Sequence, residues 1–178
     1  MTHTYLIAGF GGQGLLFAGK FLAYKGLLEN KEVSWLPSYG PEMRGGTANC
    51  SVIVSDEEVG SPLVDMADVI VAMNLPSLLK FEDKVKPGGV LVVNRSLIDR
   101  KVERDDIQVV YCDANRIAEE VGNPKGANVA ILGAMLEKAP ITSVETMMEA
   151  IRIELGEKKA RFLEGNKKAL VAGMESAR

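Results

Sequence analysis

The chain has 178 residues, a hydrophobic fraction of 47% and a formal net charge of −3, values typical of one globular domain. The weak negative charge argues against a nucleic-acid-binding protein, and every apolar run is shorter than the roughly 18 residues that a membrane-spanning helix needs. Because the first residues also lack the apolar core of a signal peptide, we expect a cytoplasmic protein that binds neither nucleic acid nor membrane.

A glycine-rich turn follows the first predicted strand, which begins near Thr4. Gly9, Gly11 and Gly14 stand at G-x-G-x-x-G spacing, which permits a tight turn and lets a phosphate approach the backbone. The free amides and the dipole of the helix that follows favour an anion. The predicted phosphate-binding residues of this turn are Gly9, Gly11, Gly12, Gln13 and Gly14.

Residues 15–29 predict a helix, because they contain no proline and place Leu15, Ala18 and Phe21 on one face. Lys20 lies near the middle of this helix. Its ammonium group could reach a phosphate on the glycine turn, or it could be an ordinary solvated lysine. Both interpretations stay open from the residues alone.

A second strand is predicted over residues 33–36. In a Rossmann domain that binds a nicotinamide cofactor, an acidic residue at the end of this strand binds the ribose hydroxyls. Here the strand continues into Pro37 and Ser38, and the acid is missing. This departure argues against an NAD(P)-dependent dehydrogenase.

The next segment is too rich in glycine and proline to form a helix. Since a parallel return strand needs a crossover of a dozen or more residues, the strand over residues 47–54 is predicted to run antiparallel to its predecessor. The loop carries large side chains among its glycines, which suits a contact surface, although a plain turn with a surface ion pair is the alternative. Its residues are Tyr39, Gly40, Pro41, Glu42, Met43, Arg44, Gly45 and Gly46.

The remaining chain predicts alternating strands and helices. Strands are expected at 68–73, 90–93 and 108–112, a turn at 86–89, and helices from residue 75, at 114–121 and 127–138, from 144, and from about 158. The result is an α/β fold with a Rossmann-like, three-layer open sheet, mostly parallel with one antiparallel strand, and a helical C-terminal part. Without repeats or a linker, residues 1–178 are predicted to form a single domain.

Several polar residues stand at predicted element ends. Asn74 and Asn94 follow two strands, so they could line the crevice beside the glycine turn or simply cap helices. Asp113 is predicted to cap the helix that follows it, and Thr142 with Glu145 has capping-box spacing.

The cysteines and the histidine predict no catalytic or metal site. Cys50 and Cys112 are too few for an iron–sulfur cluster and are expected to be buried, reduced thiols. His3, the one histidine of the sequence, lies near a terminus that is expected to fray. We therefore predict no catalytic side chain and no metal ligand.

Three motifs together resemble the gamma subunit of 2-oxoacid:ferredoxin oxidoreductases, over nearly the whole chain. They are Gly9-Phe10-Gly11-Gly12-Gln13-Gly14, Tyr39-Gly40-Pro41-Glu42-Met43-Arg44-Gly45-Gly46, and Asn128 with Leu132-Gly133. The resemblance implies a component of a complex that converts a 2-oxoacid, coenzyme A and oxidised ferredoxin into an acyl-CoA, carbon dioxide and reduced ferredoxin. It implies that this chain alone binds no cofactor and is inactive, while thiamine pyrophosphate, Mg²⁺ and 4Fe-4S clusters lie on partner subunits.

The resemblance also implies roles for named residues. The glycine turn, with Lys20, would help to bind coenzyme A as a substrate, and the loop from Tyr39 to Gly46 would face the catalytic subunits. The partners would be alpha and beta subunits, with a delta subunit in some complexes, and ferredoxin as the acceptor. The form of the loop is more similar to 2-oxoglutarate and branched-chain 2-oxoacid enzymes than to pyruvate enzymes.

Two other functions stay open from the residues. The chain could be an independent Rossmann-type oxidoreductase that binds a dinucleotide at the glycine turn. A single Arg44-Gly45-Gly46 triplet is also compatible with RNA binding, but it has no basic context.

Overall fold

The structure, a computed structural model, describes residues 1–39 and 47–178. Within these residues, six strands form one sheet in the order β2-β3-β1-β4-β5-β6. The strands are β1 (Thr2–Phe10), β2 (Glu32–Tyr39), β3 (Thr47–Ser55), β4 (Ala67–Ala72), β5 (Val85–Asn94) and β6 (Gln108–Cys112). The helices are α1 (Leu15–Leu28), α2 (Leu75–Phe81), α3 (Ala114–Glu120), α4 (Ala127–Lys138), α5 (Val144–Leu155) and α6 (Leu163–Ser176). Short 3-10 helices occupy Glu82–Lys84 and Glu157–Phe162.

Strand β3 is antiparallel to both of its neighbours, β1 and β2, whereas β1, β4, β5 and β6 pair in parallel. The prediction of a mostly parallel sheet with one antiparallel strand is therefore confirmed. The reason is the short connection between β2 and β3, which has no room for a crossover helix. Except for the backbone of Tyr39, which ends β2, the predicted contact loop lies outside the described residues.

The two faces of the sheet are covered unequally. Helices α1 and α3 to α6 share one core cluster with strand side chains such as Tyr5 and Val71. On the opposite face Leu91 packs with Leu78 of α2 and with Ile98, from the segment between β5 and β6. The three-layer architecture and the helical C-terminal part agree with the sequence-based expectation. None of the helices in the described ranges has the length and apolar character needed to cross a bilayer.

Two expectations about strand ends are wrong. His3 is not frayed but pairs with Val54, because the antiparallel strand β3 pairs with β1 as far as Thr2, the first residue of β1. The turn expected at residues 86–89 lies inside β5, where pairing with β4 skips from Val85 to Val90. The intervening residues bulge out of the ladder while the strand continues.

The expected helix caps also need correction. Ser143, not Thr142, caps α5: its hydroxyl accepts a hydrogen bond from the amide of Thr146 at 3.1 Å. The Thr142 hydroxyl instead donates to Glu29, at the end of α1, over 2.6 Å. At α3 the Asp113 side chain makes no cap bond, because its carboxylate accepts hydrogen bonds from side chains instead. The last α-helix starts at Leu163, after a 3-10 segment, rather than near residue 158.

Candidate functional site

The glycine turn connects β1 to α1 at the carboxyl end of the parallel strands. Gly11 and Gly12 are exposed, and Gly12 has a φ of +88°. No atom of the described residues lies within 4 Å of the position that a Cβ of Gly12 would occupy. Among residues 1–39 and 47–178, the space beside Gly12 is therefore open, as a bound anion would require.

Helix α1 begins at this turn without a capping side chain from the described residues. Its cap residue is Gly14, in the left-handed conformation with a φ of +73°. The first amides of a helix have no partner inside the helix, and the helix dipole adds partial positive charge there. The start of α1 can therefore bind an anion through backbone groups alone.

The Gln13 side chain supports the turn from within. Its Oε1 accepts a hydrogen bond from the amide of Phe10 at 2.6 Å, and its Nε2 donates to the carbonyl of Met73 at 3.4 Å. Gly9 makes room for this arrangement, since a Cβ there would lie 2.5 Å from Gln13 Oε1 and 2.7 Å from Met73 Cβ. The carboxamide of Gln13 thus ties the turn to the end of β4, while its predicted contact with a ligand stays a prediction.

Two asparagines lie at the carboxyl ends of β4 and β5, the same end of the sheet as the glycine turn. Asn74 is 1% exposed, and its side chain accepts a hydrogen bond from the Ser77 amide at 2.9 Å, which confirms the capping interpretation. Asn94 is fully buried and donates to Met73 O at 3.3 Å, the same oxygen that Gln13 contacts. Asn94 thus supports the strand end that Gln13 contacts, whereas the Asn74 side chain caps α2.

Asn128, near the start of α4, forms a hydrogen bond to the glycine turn. Its Nδ2 donates to the carbonyl oxygen of Gly14 at 3.0 Å. Asn128 belongs to a motif of the resembling family, but sequence reasoning assigns no role to its side chain. Its place in the first turn after Gly126 is the one signal that could have drawn attention to it, because early helical positions often line ligand sites.

The ammonium group of Lys20 contacts an acidic side chain and an aromatic ring. Its ammonium nitrogen lies 3.2 Å from Oε1 of Glu154, on α5, and 5.4 Å from the ring centroid of Trp35. These contacts neutralise and orient the charge, and the pair contributes little to stability because the Lys20 side chain is 39% exposed and its charge is screened by water. A phosphate contact by Lys20 stays a prediction.

The two cysteines are buried free thiols, as expected. Burial raises the pKa of Cys50 to about 12 and that of Cys112 to about 11. Both thiols are therefore protonated and unreactive at neutral pH. Among residues 1–39 and 47–178, no group of His, Cys, Asp and Glu side chains could hold a metal ion.

Comparison with known proteins gives consistent results. Residues 4–176 match the family described as pyruvate ferredoxin/flavodoxin oxidoreductase. The chain is 41% identical to ketoisovalerate oxidoreductase subunit VorA of Methanothermobacter marburgensis over 174 residues, 97% of this chain and 36% of that subunit. It thus spans about a third of the length of this relative.

Two solved structures are also similar. The keto/oxoacid ferredoxin oxidoreductase gamma subunit from Geobacter sulfurreducens has a TM-score of 0.87 and 30% identity, covering 99% of this chain and 97% of that one. The 2-oxoglutarate:ferredoxin oxidoreductase from Magnetococcus marinus, with 2-oxoglutarate, coenzyme A and succinyl-CoA bound, has a TM-score of 0.86 and 26% identity, covering 99% of this chain and 31% of that one. The chain therefore belongs to the pyruvate ferredoxin/flavodoxin oxidoreductase family, in which its fold corresponds to a gamma subunit.

Proposed function

We propose that this chain is the gamma component of a cytoplasmic 2-oxoacid:ferredoxin oxidoreductase complex and that its glycine turn helps to bind coenzyme A. The complex would convert a 2-oxoacid, coenzyme A and oxidised ferredoxin into an acyl-CoA, carbon dioxide and reduced ferredoxin. The observation that carries the proposal is the match to a whole gamma subunit, at a TM-score of 0.87, combined with a helix start at the glycine turn and open space beside Gly12 among the described residues. The relative with coenzyme A bound supports the choice of ligand.

The groups at the turn suit binding rather than chemistry. They are backbone amides and the carboxamides of Gln13 and Asn128, which neither donate nor accept protons at neutral pH. Such groups can hold a phosphate of coenzyme A and orient the molecule toward an active site formed by other subunits. The isolated chain is therefore expected to be inactive.

The cofactors belong to the partner subunits in this proposal. Thiamine pyrophosphate with Mg²⁺ would supply the carbanion chemistry on the alpha and beta subunits, and 4Fe-4S clusters would carry electrons to ferredoxin. This chain contains two cysteines, whereas such a cluster needs four thiolates in most proteins. We assign the contact with the catalytic subunits to the loop from Tyr39 to Gly46, which connects two strands at one edge of the sheet.

The proposed 2-oxoacid is 2-oxoglutarate or a branched-chain 2-oxoacid rather than pyruvate. Two relatives support this choice, one named for ketoisovalerate and one for 2-oxoglutarate. Steady-state kinetics of the purified complex with the three substrate types would test it. A higher kcat/KM for pyruvate than for both of the others would overturn it.

The role of the turn is tested by Gly12→Asp in the assembled complex. The added carboxylate would enter open space and repel a phosphate, so the KM for coenzyme A should rise at least about tenfold, which corresponds to 1.4 kcal/mol. The kcat and the subunit composition should change little. Gly88→Asp is the matched control, because Gly88 has a φ of +80° and equally open surroundings within the described chain but lies near the start of β5, at the opposite end of the parallel strands from the turn.

An unchanged KM for coenzyme A in Gly12→Asp would refute the binding assignment. The subunit assignment has a separate test, in which the chain is purified from its native source and the proteins bound to it are identified. Absence of thiamine-dependent subunits, together with turnover of a dinucleotide substrate by the isolated chain, would favour an independent oxidoreductase instead.

A further inference from the structure

Both polar atoms of the Asn128 side chain form hydrogen bonds, one within α4 and one to the glycine turn. Asn128 is 9% exposed, its Nδ2 donates to Gly14 O at 3.0 Å, and its Oδ1 accepts from the amide of Val129 at 3.0 Å. The contact with Gly14 links residues that are 114 positions apart.

The oxygen that Asn128 contacts also starts helix α1. The amide of Ala18 donates to Gly14 O at 3.0 Å, which is the first backbone hydrogen bond of that helix. Asn128 therefore holds the peptide group on which the helix begins. The position of the free amides of the first turn, starting with Leu15, depends on the orientation of that peptide group.

Gly14 and Asn128 also fit each other in shape. A Cβ at Gly14 would lie 2.6 Å from Asn128 Nδ2 and 2.9 Å from its Cγ, both inside normal contact distance. The absence of a side chain at Gly14 is thus what allows the carboxamide to reach the carbonyl. Because the carboxamide is neutral, it can hold the turn without adding or removing charge beside a bound anion.

We propose that Asn128 is a positioning residue for the anion-binding turn, which acts through Gly14 to hold the amides at the start of α1 where a ligand phosphate can meet them. This inference rests on the proposed function for the identity of the ligand, coenzyme A. Preorganised donors bind an anion more tightly than mobile ones, because less ordering remains to be done on binding. Loss of the Asn128 contact should therefore weaken binding without changing the chemical step.

The test is a double-mutant cycle in the assembled complex, with Asn128→Ala, Gly14→Ala and the double variant. Each single variant should raise the KM for coenzyme A by about fivefold or more with kcat within about twofold, as expected when binding is lost equally in ground and transition states. In the double variant the space left by Asn128 accepts the new methyl group, so only the strain of a Cβ at the left-handed φ of +73° remains. Its KM should therefore be much lower than the product of the two single effects.

Ser143→Ala is the control for a general loss of stability. Ser143 caps α5, so its removal weakens a helix that does not begin at the turn. This variant should lower the Tm as Asn128→Ala does, but it should leave the KM for coenzyme A unchanged. An equal rise in KM in the control, or single effects that simply multiply in the double variant, would overturn the proposal.

Amide hydrogen exchange in the complex gives a readout without coenzyme A. In Asn128→Ala the amides of residues 12–18 should exchange faster than in the unmodified complex, whereas in Ser143→Ala they should not. Unchanged exchange at these amides would refute the positioning role. If Gly12→Asp raises the KM for coenzyme A and Asn128→Ala does not, the inference fails while the proposed function stands. If neither variant changes the KM, the ligand assignment of the proposed function fails.

Discussion

Gly12, in the turn after β1, and the glycines at the crossing of α4 and α6 have opposite surroundings. A Cβ on Gly12 would meet no atom of residues 1–39 and 47–178 within 4 Å. A Cβ on Gly133 would overlap the carbonyl oxygen of Leu170, and one on Gly173 would overlap that of Ala130. The same residue type thus keeps a surface open in one region and brings two helix backbones into contact in the other.

This difference separates binding from folding within one small domain. Helix α4 is buried from Ala127 to Leu136, and the close approach of α6 completes its cover. Substitution at the crossing should therefore affect the stability of the whole chain. Substitution at Gly12 should affect ligand binding and leave the core intact.

The largest effect is expected for Gly173→Ala. The new methyl group would overlap backbone that cannot rotate away, so the two helices must separate, and the loss of unfolding free energy should reach about 3 kcal/mol. Urea denaturation of the purified protein measures it. Gly60→Ala is the control, since nothing in the described part of the chain lies within 4 Å of that site. Equal losses in both variants would contradict the comparison.

A smaller loss is expected for Gly19→Ala, where the new Cβ faces side chains. It would overlap Cys50 Sγ and lie 2.9 Å from Trp35 Nε1. Because side chains can shift, the loss should be about 1–2 kcal/mol, within the usual range for an overpacked core. The double variant Gly19→Ala with Cys50→Ala should recover part of it. A loss of unfolding free energy as large as that of Gly173→Ala would show that overlap with side chains costs as much as overlap with backbone.

The burial of Cys50 beneath α1 predicts a pH dependence. Burial raises its pKa to about 12, so above the ordinary thiol pKa of about 8.5 the unfolded chain loses this proton while the folded chain keeps it. The contribution of the protonated thiol to the free energy of unfolding is fully present below about pH 8.5. It is lost between that pH and about 12, as the free energy of unfolding falls by at most about 1.4 kcal/mol per pH unit. Urea denaturation at pH 8 and 9.5 should show a larger loss for the wild type than for Cys50→Ala. An identical loss would refute this contribution.

The smallest effect on stability is expected for Gly12→Ala. The left-handed conformation penalises a Cβ by about 1 kcal/mol, and no steric clash within the described residues adds to it. Gly88→Ala, with a similar φ of +80°, should lose about as much stability, as measured by urea denaturation. Of the two variants, Gly12→Ala alone should change the KM for coenzyme A. A similar change in Gly88→Ala would mean that the turn has no special role in binding.

Much of the fold could be predicted because its signals are local. The G-x-G-x-x-G spacing determines a strand, a turn and a helix start within a few residues. The short segment between β2 and β3 forces an antiparallel pair, and the bounds of α4 follow from a glycine before it and an apolar, alanine-rich run. These features depend on neighbours along the chain, which the sequence displays directly.

Side-chain roles at element ends depended on remote partners. Thr142 has the spacing of a cap but bonds Glu29, so the next residue caps α5. Lys20 pairs with Glu154, which lies 134 positions away. In each case the side chain bonds to a residue far away in the sequence. Spacing along the chain cannot predict which distant residue will be close enough to bond.

The sequence by itself therefore determined that a glycine turn connects the first strand to the first helix, because spacing and backbone sterics are local properties. Only the tertiary structure decided that Asn128 supports Gly14 and that Gln13 bonds Met73. The physical reason is that hydrogen bonds between residues far apart in the chain form only after helices and sheet pack. Packing, not propensity, brings those donors and acceptors to within bonding distance.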